Sequence, residues 1–358
     1  MTITKASSWM LRFPSNRAAA ERADEEFELI GVTLEDSSGE TGTGWTFTSD
    51  HGGGGAVKAL LDDILVPRLK GREAHEVETI NAELFHLTHR LGYGIASMAI
   101  SAIDVALWDL KSRMAGLSLS RALGRSRATI PCYGSGKASP SLPIDDLVSL
   151  SAGYIADGFK AVKIRVGREP DRDVDRVRAV REAIGPEPLI MCDANERLSL
   201  PAALWLGKRL ADLNVFWLEE PILSQDIEGY RRLRSALPMA FSMGEHVFSR
   251  RDFMPFIREG VTDVVNPDIC FVGGITEAMK IGHVADSFGI GFAPHFMSVL
   301  SVHVAASLPR ATFVEFYPFM DDLLTHQLLV KDGEIVVPDR PGHGVEFTKE
   351  AWRRYRVA

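Results

Sequence analysis

The sequence lacks the features that mark membrane, secreted and nucleic-acid-binding proteins. Its 358 residues contain no apolar run of the roughly 18 residues that a transmembrane helix needs. The formal net charge is −8 and no basic stripe interrupts the chain, which argues against a nucleic-acid partner. The opening MTITKASSWMLRF has neither the apolar core nor the small-residue cleavage site of a signal peptide. We therefore expect no membrane and no nucleic-acid partner.

Cysteine is also scarce. The three cysteines, Cys132, Cys192 and Cys270, each lie inside or beside a predicted strand. An odd number of thiols in apolar segments indicates packing residues in a reducing compartment rather than a disulfide framework. We expect a cytoplasmic protein. The glycine run 52–55 lacks the Gly-Lys-Ser/Thr ending of a phosphate loop and is predicted to be a flexible turn.

The length and patterning predict two structural units. An apolar content of 46% is enough for a large core, and 358 residues fit a (β/α) barrel of roughly 200 to 250 residues plus a second unit. Residues 1–125 are predicted to be an α+β capping domain, with two strands around a Ser-Gly turn followed by three helices. Residues 326–358 are predicted to contain a hairpin and to return to the capping domain.

Residues 126–325 alternate between strand-like and helix-like segments, which is typical of a parallel barrel. The eight candidate strands are IPCYG, AVKIRV, LIMCDA, VFWLEE, AFSMGE, DVVNPD, IGFAPH and TFVEF. We therefore predict an α/β fold: a modified TIM (β/α) barrel with an α+β amino-terminal capping domain that the carboxyl-terminal segment completes.

Three carboxylates lie at equal intervals along this barrel. Asp193, Glu219 and Glu245 are 26 residues apart, and each ends a short apolar run. Because the carboxyl ends of barrel strands meet at one rim, these groups would repel each other unless a cation held them. Oxygen ligands of this kind suit Mg²⁺. The spacing therefore predicts a metal-dependent enzyme.

The other strand ends are polar as well. They carry five further candidate site residues, Lys163, Arg165, Asp268, His295 and Glu315. An aspartate paired with one ring nitrogen of a histidine raises its basicity and leaves the other nitrogen for proton transfer. Seven successive strand ends with titratable groups favour a catalytic rim over a set of helix caps.

Several motifs in fixed order resemble the mandelate racemase subgroup of the enolase superfamily. They are AVKIRVG, MCDAN, WLEEP, MGEH, NPD followed by GGIT, PH, FVEF and, upstream, SAIDVALWDLKSRMAG. The resemblance implies that Asp193, Glu219 and Glu245 bind Mg²⁺ and that a base removes the proton alpha to a substrate carboxylate. It also implies an even-numbered homo-oligomer, commonly a dimer or an octamer.

The resemblance implies roles for the remaining rim residues. Lys163 would contact the substrate carboxylate or act as a base, and Glu315, if protonated, would donate a hydrogen bond to it. Asn195 faces the same side as Asp193 and is a candidate for a substrate hydroxyl. For His246, substrate contact and plain packing both stay open.

The second strand departs from the family pattern. Racemases of this subgroup carry Lys-x-Lys there, whereas this chain has Lys163-Ile-Arg165. Arginine holds its proton far above neutral pH and is a poor base. Lys163 could still serve as a base if the charge of Arg165 lowers its pKa. Racemisation needs two bases, whereas dehydration needs one group that removes the alpha proton and helps the beta hydroxyl leave.

These residues favour an acid-sugar dehydratase that converts an aldonic or aldaric acid into a 2-keto-3-deoxy acid. A racemase, epimerase or lactone cycloisomerase is the alternative within enzymes, and a catalytically silent binding protein is the alternative outside them. In the family, amino-terminal loops select the substrate. Arg17, with Arg12 and Arg22 nearby, is therefore a candidate for the far carboxylate of a diacid, although a solvated loop would look the same.

Overall fold

The computed structural model describes residues 1–14, 26–49, 52–136 and 138–357. Its first part is an antiparallel sheet of three strands in the order β1-β2-β3. These are β1 (Ile3–Pro14), β2 (Glu26–Asp36) and β3 (Thr41–Ser49). Only β2 and β3 were predicted, because the KASS stretch of β1 breaks the apolar alternation that marks a strand.

Helices pack on this sheet or on one another. They are α1 (Gly54–Leu60), α2 (Val77–Thr88), α3 (Ile95–Met114) and α4 (Leu119–Ala122). The α1 helix continues into a π-helical turn and a 3₁₀ turn that end at Arg68. The α3 helix is buried on several faces and packs closely on β3, where a Cβ atom on Gly44 would lie 2.2 Å from the Ala106 backbone nitrogen. In the described part of the chain, no helix is long and apolar enough to cross a bilayer.

Eight strands form the predicted barrel. They are β4 (Thr129–Gly134), β5 (Ala161–Arg165), β6 (Leu189–Asp193), β7 (Val215–Glu219), β8 (Ala240–Met243), β9 (Val264–Val265), β10 (Gly291–Phe292) and β11 (Val314–Phe316). Consecutive strands from β4 to β10 pair in parallel, and β11 closes on β4. A single bridge between Phe292 and Ala311 links β10 to the segment before β11. The fold prediction is confirmed.

Helices surround these strands on the outside. They are α5 (Ile144–Ala156), α6 (Pro170–Ile184), α7 (Leu200–Asp212), α8 (Ile227–Ala236), α9 (Arg250–Glu259), α10 (Ile275–Ser287) and α11 (Ser298–Ala305). Each helix returns the chain to the amino end of the next strand, so all strand ends that carry polar residues meet at one rim.

The carboxyl-terminal segment contacts both parts of the molecule. It contains β12 (Val330–Lys331), β13 (Glu334–Val336) and α12 (Lys349–Tyr355). The predicted hairpin is present, but it pairs with the barrel, because β11 covers only the second half of β4 and leaves the first half to β13. The α12 helix packs on β1, with the rings of Trp352 and Trp9 5.0 Å apart.

Candidate active site

Three carboxylates converge at the rim of the barrel. Asp193 is the last residue of β6, Glu219 is the last residue of β7, and Glu245 follows β8. All three are buried, and one oxygen of each lies within 4.8 Å of the others. The equal sequence spacing has therefore brought the three predicted metal ligands together.

The chemistry of this group fits Mg²⁺. Burial raises the pKa of Glu219 to about 8; Lys163 opposes the shift, and the neighbouring charges of Asp193 and Glu245 add to it. Oε2 of Glu245 is buried and lies 2.9 Å from His295 Nε2. A divalent cation would relieve the repulsion among the three carboxylates, and hard oxygen ligands are those that Mg²⁺ prefers.

Lys163 lies beside these carboxylates, in the middle of β5. Its Nζ atom is 3.0 Å from Glu219 Oε1, 3.2 Å from Asp193 Oδ2 and 3.5 Å from Glu315 Oε1. Burial would lower the pKa of Lys163, but Glu219, Glu315 and the other nearby anions outweigh it and raise the pKa well above its ordinary value. This direction is opposite to the one that favours Lys163 as a base, so a role for Lys163 in proton abstraction stays a prediction.

Arg165 follows two residues later on the same face of β5. It lies opposite Asp193 in the strand register and is half-buried. Burial would lower the pKa of its guanidinium, but Asp193 and Glu245 outweigh burial and raise it. Arg165 is therefore a fixed cation at the rim, which agrees with the expectation that it is a poor base.

Asp268 and His295 form the predicted pair. The backbones of the two residues are bridged, and His295 Nδ1 donates to Asp268 Oδ2 at 2.9 Å. His295 Nε2 faces Glu245 and lies 3.9 Å from Glu315 Oε2. Burial would lower the pKa of His295, but Glu245 and Asp268 outweigh it, so the pKa lies well above its ordinary value.

Glu315 ends the ring of polar residues. Its Oε1 accepts from Ser135 Oγ at 2.6 Å, and its Oε2 accepts from the Phe296 backbone N–H at 2.9 Å. Burial would raise the pKa of Glu315, but the cations Lys163 and His295 outweigh it and lower the pKa to about 2. Glu315 accepts both of these hydrogen bonds, and its expected role as a protonated donor to the substrate carboxylate stays a prediction.

Asn195 connects two of the metal-site carboxylates. Its Nδ2 donates to Glu245 Oε1 at 2.8 Å and to Asp193 Oδ2 at 3.3 Å. The backbone of Asn195 is left-handed, with φ 43°. In this structure the amide is occupied by protein carboxylates, so its expected contact with a substrate hydroxyl stays a prediction.

The candidate substrate residues outside this group have different outcomes. His246 donates from Nδ1 to Glu220 Oε2, and its side chain is 43% exposed. Burial lowers the pKa of His246, but the Glu220 carboxylate outweighs it and raises the pKa to about 9. Arg17 lies outside the described residues. Arg12 forms an ion pair with Glu28 at 2.9 Å. The guanidinium that was a candidate for the far carboxylate of a diacid therefore already has a carboxylate partner within the protein.

Two site residues were missed in the sequence. Ser135 contacts Glu315, and Trp217 donates from Nε1 to Glu219 Oε2 at 3.2 Å. Ser135 directly follows the first barrel strand, the same position that identified the other rim residues. A hydroxyl at a strand end is a weaker sequence signal than a titratable group, because serine is also a common cap of the helix that follows.

Comparison with known proteins agrees with this geometry. Residues 1–124 match the family profile "Mandelate racemase / muconate lactonizing enzyme, N-terminal domain", and residues 146–351 match "Enolase C-terminal domain-like". A 3,6-anhydro-alpha-L-galactonate cycloisomerase from Streptomyces coelicolor is 36% identical over 93% of this chain and 92% of its own length.

Two solved structures are similar over nearly the whole chain. A racemase from Streptomyces coelicolor A3(2) with bound magnesium has a TM-score of 0.94 at 34% identity, covering 99% of this chain and 100% of that one. L-Talarate dehydratase from Polaromonas sp. JS666, complexed with Mg and L-glucarate, has a TM-score of 0.92 at 30% identity, covering 99% and 98%. Mg²⁺ is accordingly the cofactor. The chain belongs to the mandelate racemase subgroup of the enolase superfamily.

Proposed function

We propose that the protein is an Mg²⁺-dependent acid-sugar dehydratase. It removes the proton alpha to the carboxylate of an aldonic or aldaric acid and eliminates the beta hydroxyl as water, giving a 2-keto-3-deoxy acid. The observation that carries this proposal is the single histidine–aspartate base, His295 with Asp268, in a rim where Arg165 occupies the other basic position.

Binding and activation use the buried charges of the rim. We assign Asp193, Glu219 and Glu245 as the metal ligands. The bound metal supplies positive charge to the substrate carboxylate, which makes the alpha proton more acidic. Lys163 adds a second positive charge in the same place. Its Nζ, held by Glu219 and Asp193, is fixed before substrate arrives.

Proton transfer is assigned to His295. Asp268 holds Nδ1, so Nε2 is the atom that takes the alpha proton. As the C–H electrons move to form a carbon–carbon double bond, the C–O bond to the beta hydroxyl breaks. The same Nε2 returns its proton to the leaving oxygen, and water departs from the same face. The enol product then tautomerises to the 2-keto acid.

The second candidate is a cycloisomerase. The cycloisomerase relative from Streptomyces coelicolor, at 36% identity, supports it directly. Both reactions begin with alpha-proton removal by one base and differ in which carbon–oxygen bond then breaks. A racemase or epimerase is less favoured, because Lys163 is held among carboxylates and Arg165 does not exchange protons near neutral pH. A silent binding protein is least favoured, because the full set of rim residues is present.

The test is a screen of acid sugars with Mg²⁺, in which 2-keto acid is detected by semicarbazide absorbance. Product from one or a few aldonic or aldaric acids would support the dehydratase. If none forms from open-chain acids but an anhydro acid sugar is converted, the cycloisomerase replaces it. Proton NMR in D₂O identifies an epimerase by deuterium at an inverted alpha carbon.

We also propose a cytoplasmic location and a homo-oligomer between a dimer and an octamer. Apart from other copies of the chain, the proposed binding partner is the small acid-sugar substrate. Light scattering coupled to size exclusion measures the assembly, and a monomer would overturn the oligomer proposal.

We further propose that the capping domain ends at residue 125 and that the barrel ends at residue 325.

A further inference from the structure

Glu220 is a buried carboxylate that the proposed reaction does not use. It follows the proposed ligand Glu219 and has no exposed surface. Its backbone is left-handed, with φ 38°, a conformation that non-glycine residues seldom adopt. A buried charge in a strained position needs a structural reason.

The carboxylate of Glu220 binds the loop after β8 on both sides of Glu245. Its Oε1 accepts from the Gly244 N–H at 3.1 Å and from the His246 N–H at 3.4 Å, and its Oε2 accepts from His246 Nδ1. We infer that Glu220 is a positioning residue that holds the metal ligand Glu245 in place through the residues that flank it. This inference rests on the ligand set assigned above.

The loop of residues 244–246 needs hydrogen bonds of this kind to hold its conformation. Gly244 has φ 143°, a conformation that few side chains tolerate, and a glycine next to a ligand leaves the backbone free to rotate unless other bonds fix it. The neighbouring loops are tied to the same place: the Glu196 N–H donates to the Glu220 carbonyl at 2.8 Å, and the Glu220 N–H donates to the Ser242 carbonyl at 3.0 Å. Glu220 thus links the loops that follow β6, β7 and β8.

Outer partners of metal ligands usually contribute a factor of about 10 to 100 in metal affinity. We expect Glu220→Ala to weaken Mg²⁺ binding by about that factor, because all three hydrogen bonds to the 244–246 loop are lost. Glu220→Gln should lose less, because its Oε1 can still accept from the two backbone N–H groups. Its amide removes the negative charge that faces His246.

The experiment is a calorimetric titration of Mg²⁺ into the substrate-free protein, with the thermal midpoint measured in the absence of metal. The matched control is Glu196→Ala. Glu196 is a nearby carboxylate that accepts from the Ser224 N–H at 2.6 Å, and no hydrogen bond joins its side chain to residues 244–246 in the described structure. We expect this control to keep its Mg²⁺ affinity.

Wild-type affinity in a folded Glu220→Ala protein would overturn the inference. An equal loss in Glu196→Ala would also overturn it, because the effect would then be a general loosening of the rim. If Glu220→Ala does not fold, the near-isosteric Glu220→Gln decides: no loss of affinity counts against the role. The titration uses no substrate, so a failed acid-sugar screen would leave this result standing.

Discussion

His295 lies between carboxylates that contact different nitrogens of its ring. Asp268 fixes one ring nitrogen, whereas Glu245 and Glu315 face the other. Burial would lower the pKa of His295, but together these anions raise it well above its ordinary value. A cation bound by Glu245 would weaken the effect of this carboxylate on His295, and we expect that change to favour the base role proposed for Nε2.

Replacement of this histidine tests the base directly. We expect His295→Asn to lose elimination by at least about 10² to 10⁴-fold, the usual contribution of a general base. Exchange of the alpha proton with D₂O, followed by NMR, should be lost with it. Asp268→Asn should show a smaller loss. Exchange that survives in His295→Asn would instead identify Lys163 as the abstracting base.

Arg165 is the residue at which the chain departs from two-base relatives. We expect Arg165→Lys to place a titratable amine at the rim and to allow deuterium to enter the alpha carbon with inversion, which the wild-type protein should not do. Arg165→Gln is the control, since it removes the cation without adding a base. Inverted, deuterated substrate with the wild-type enzyme would contradict this account of Arg165.

At the scale of elements, β3 and α3 pack closely. A side chain on Gly44 would collide with backbone atoms, since its Cβ would lie 2.2 Å from the Ala106 nitrogen and 2.4 Å from the Ala102 carbonyl oxygen. Backbone atoms cannot rotate away as a flexible side chain can. The distance between the sheet and the α3 helix is therefore set by the absence of a Cβ.

We expect Gly44→Ala to lower the free energy of unfolding by about 1 to 3 kcal/mol or more, the usual cost of overpacking. Gly153→Ala is the matched control, because Gly153 lies inside α5 and a Cβ added there would meet no atom within 4 Å beyond its own helix. This control should raise stability by about 0.5 to 1 kcal/mol. Urea unfolding measures both, and equal stability of the two variants would refute the packing argument.

The same scale shows how far the sequence carries. All eight barrel strands were predicted, because each is a short apolar run and seven of them carry a titratable residue at or near the end. The first strand of the capping sheet was not predicted, because Lys5, Ser7 and Ser8 interrupt the alternation of apolar and polar residues that marks a strand. The rim residues were predicted from their positions at the strand ends. The hydrogen bonds that the side chains of Asn195 and Glu220 make to neighbouring loops depend on left-handed backbone conformations, which the periodicity of a sequence does not show.

At the scale of the whole molecule, two buried histidines join the capping unit, the barrel and the carboxyl-terminal segment. His303 of α11 accepts from the Ser120 N–H at 3.2 Å and donates to the His343 carbonyl at 3.0 Å. His343 in turn donates to the Thr43 carbonyl at 2.8 Å. Burial lowers the pKa of His303 to about 3 and also lowers that of His343.

These shifts predict a loss of stability in mild acid. The unfolded histidines take up protons below about pH 6.5, whereas folded His303 does not until about pH 3, so falling pH favours unfolding across this window. The slope from His303 is about 1.4 kcal/mol per pH unit. We expect His303→Gln to reduce this slope, measured by urea unfolding at about pH 7.5 and about pH 5.5.

The matched control is His283→Gln, which replaces an exposed histidine on α10. It should retain the wild-type slope between the two pH values. If His303→Gln retains it as well, the acid sensitivity belongs to other groups.

The pairing of β13 with β4 and the packing of α12 on β1 have a consequence for synthesis. The ribosome synthesises β13 and α12 after all the barrel strands. A nascent chain can therefore assemble most of its barrel while the first half of β4 has no β13 to pair with and Trp9 has no α12 to pack against. Stalled translation would leave these surfaces open to chaperones and proteases. Both surfaces are therefore completed only after residues 330–355 have been made.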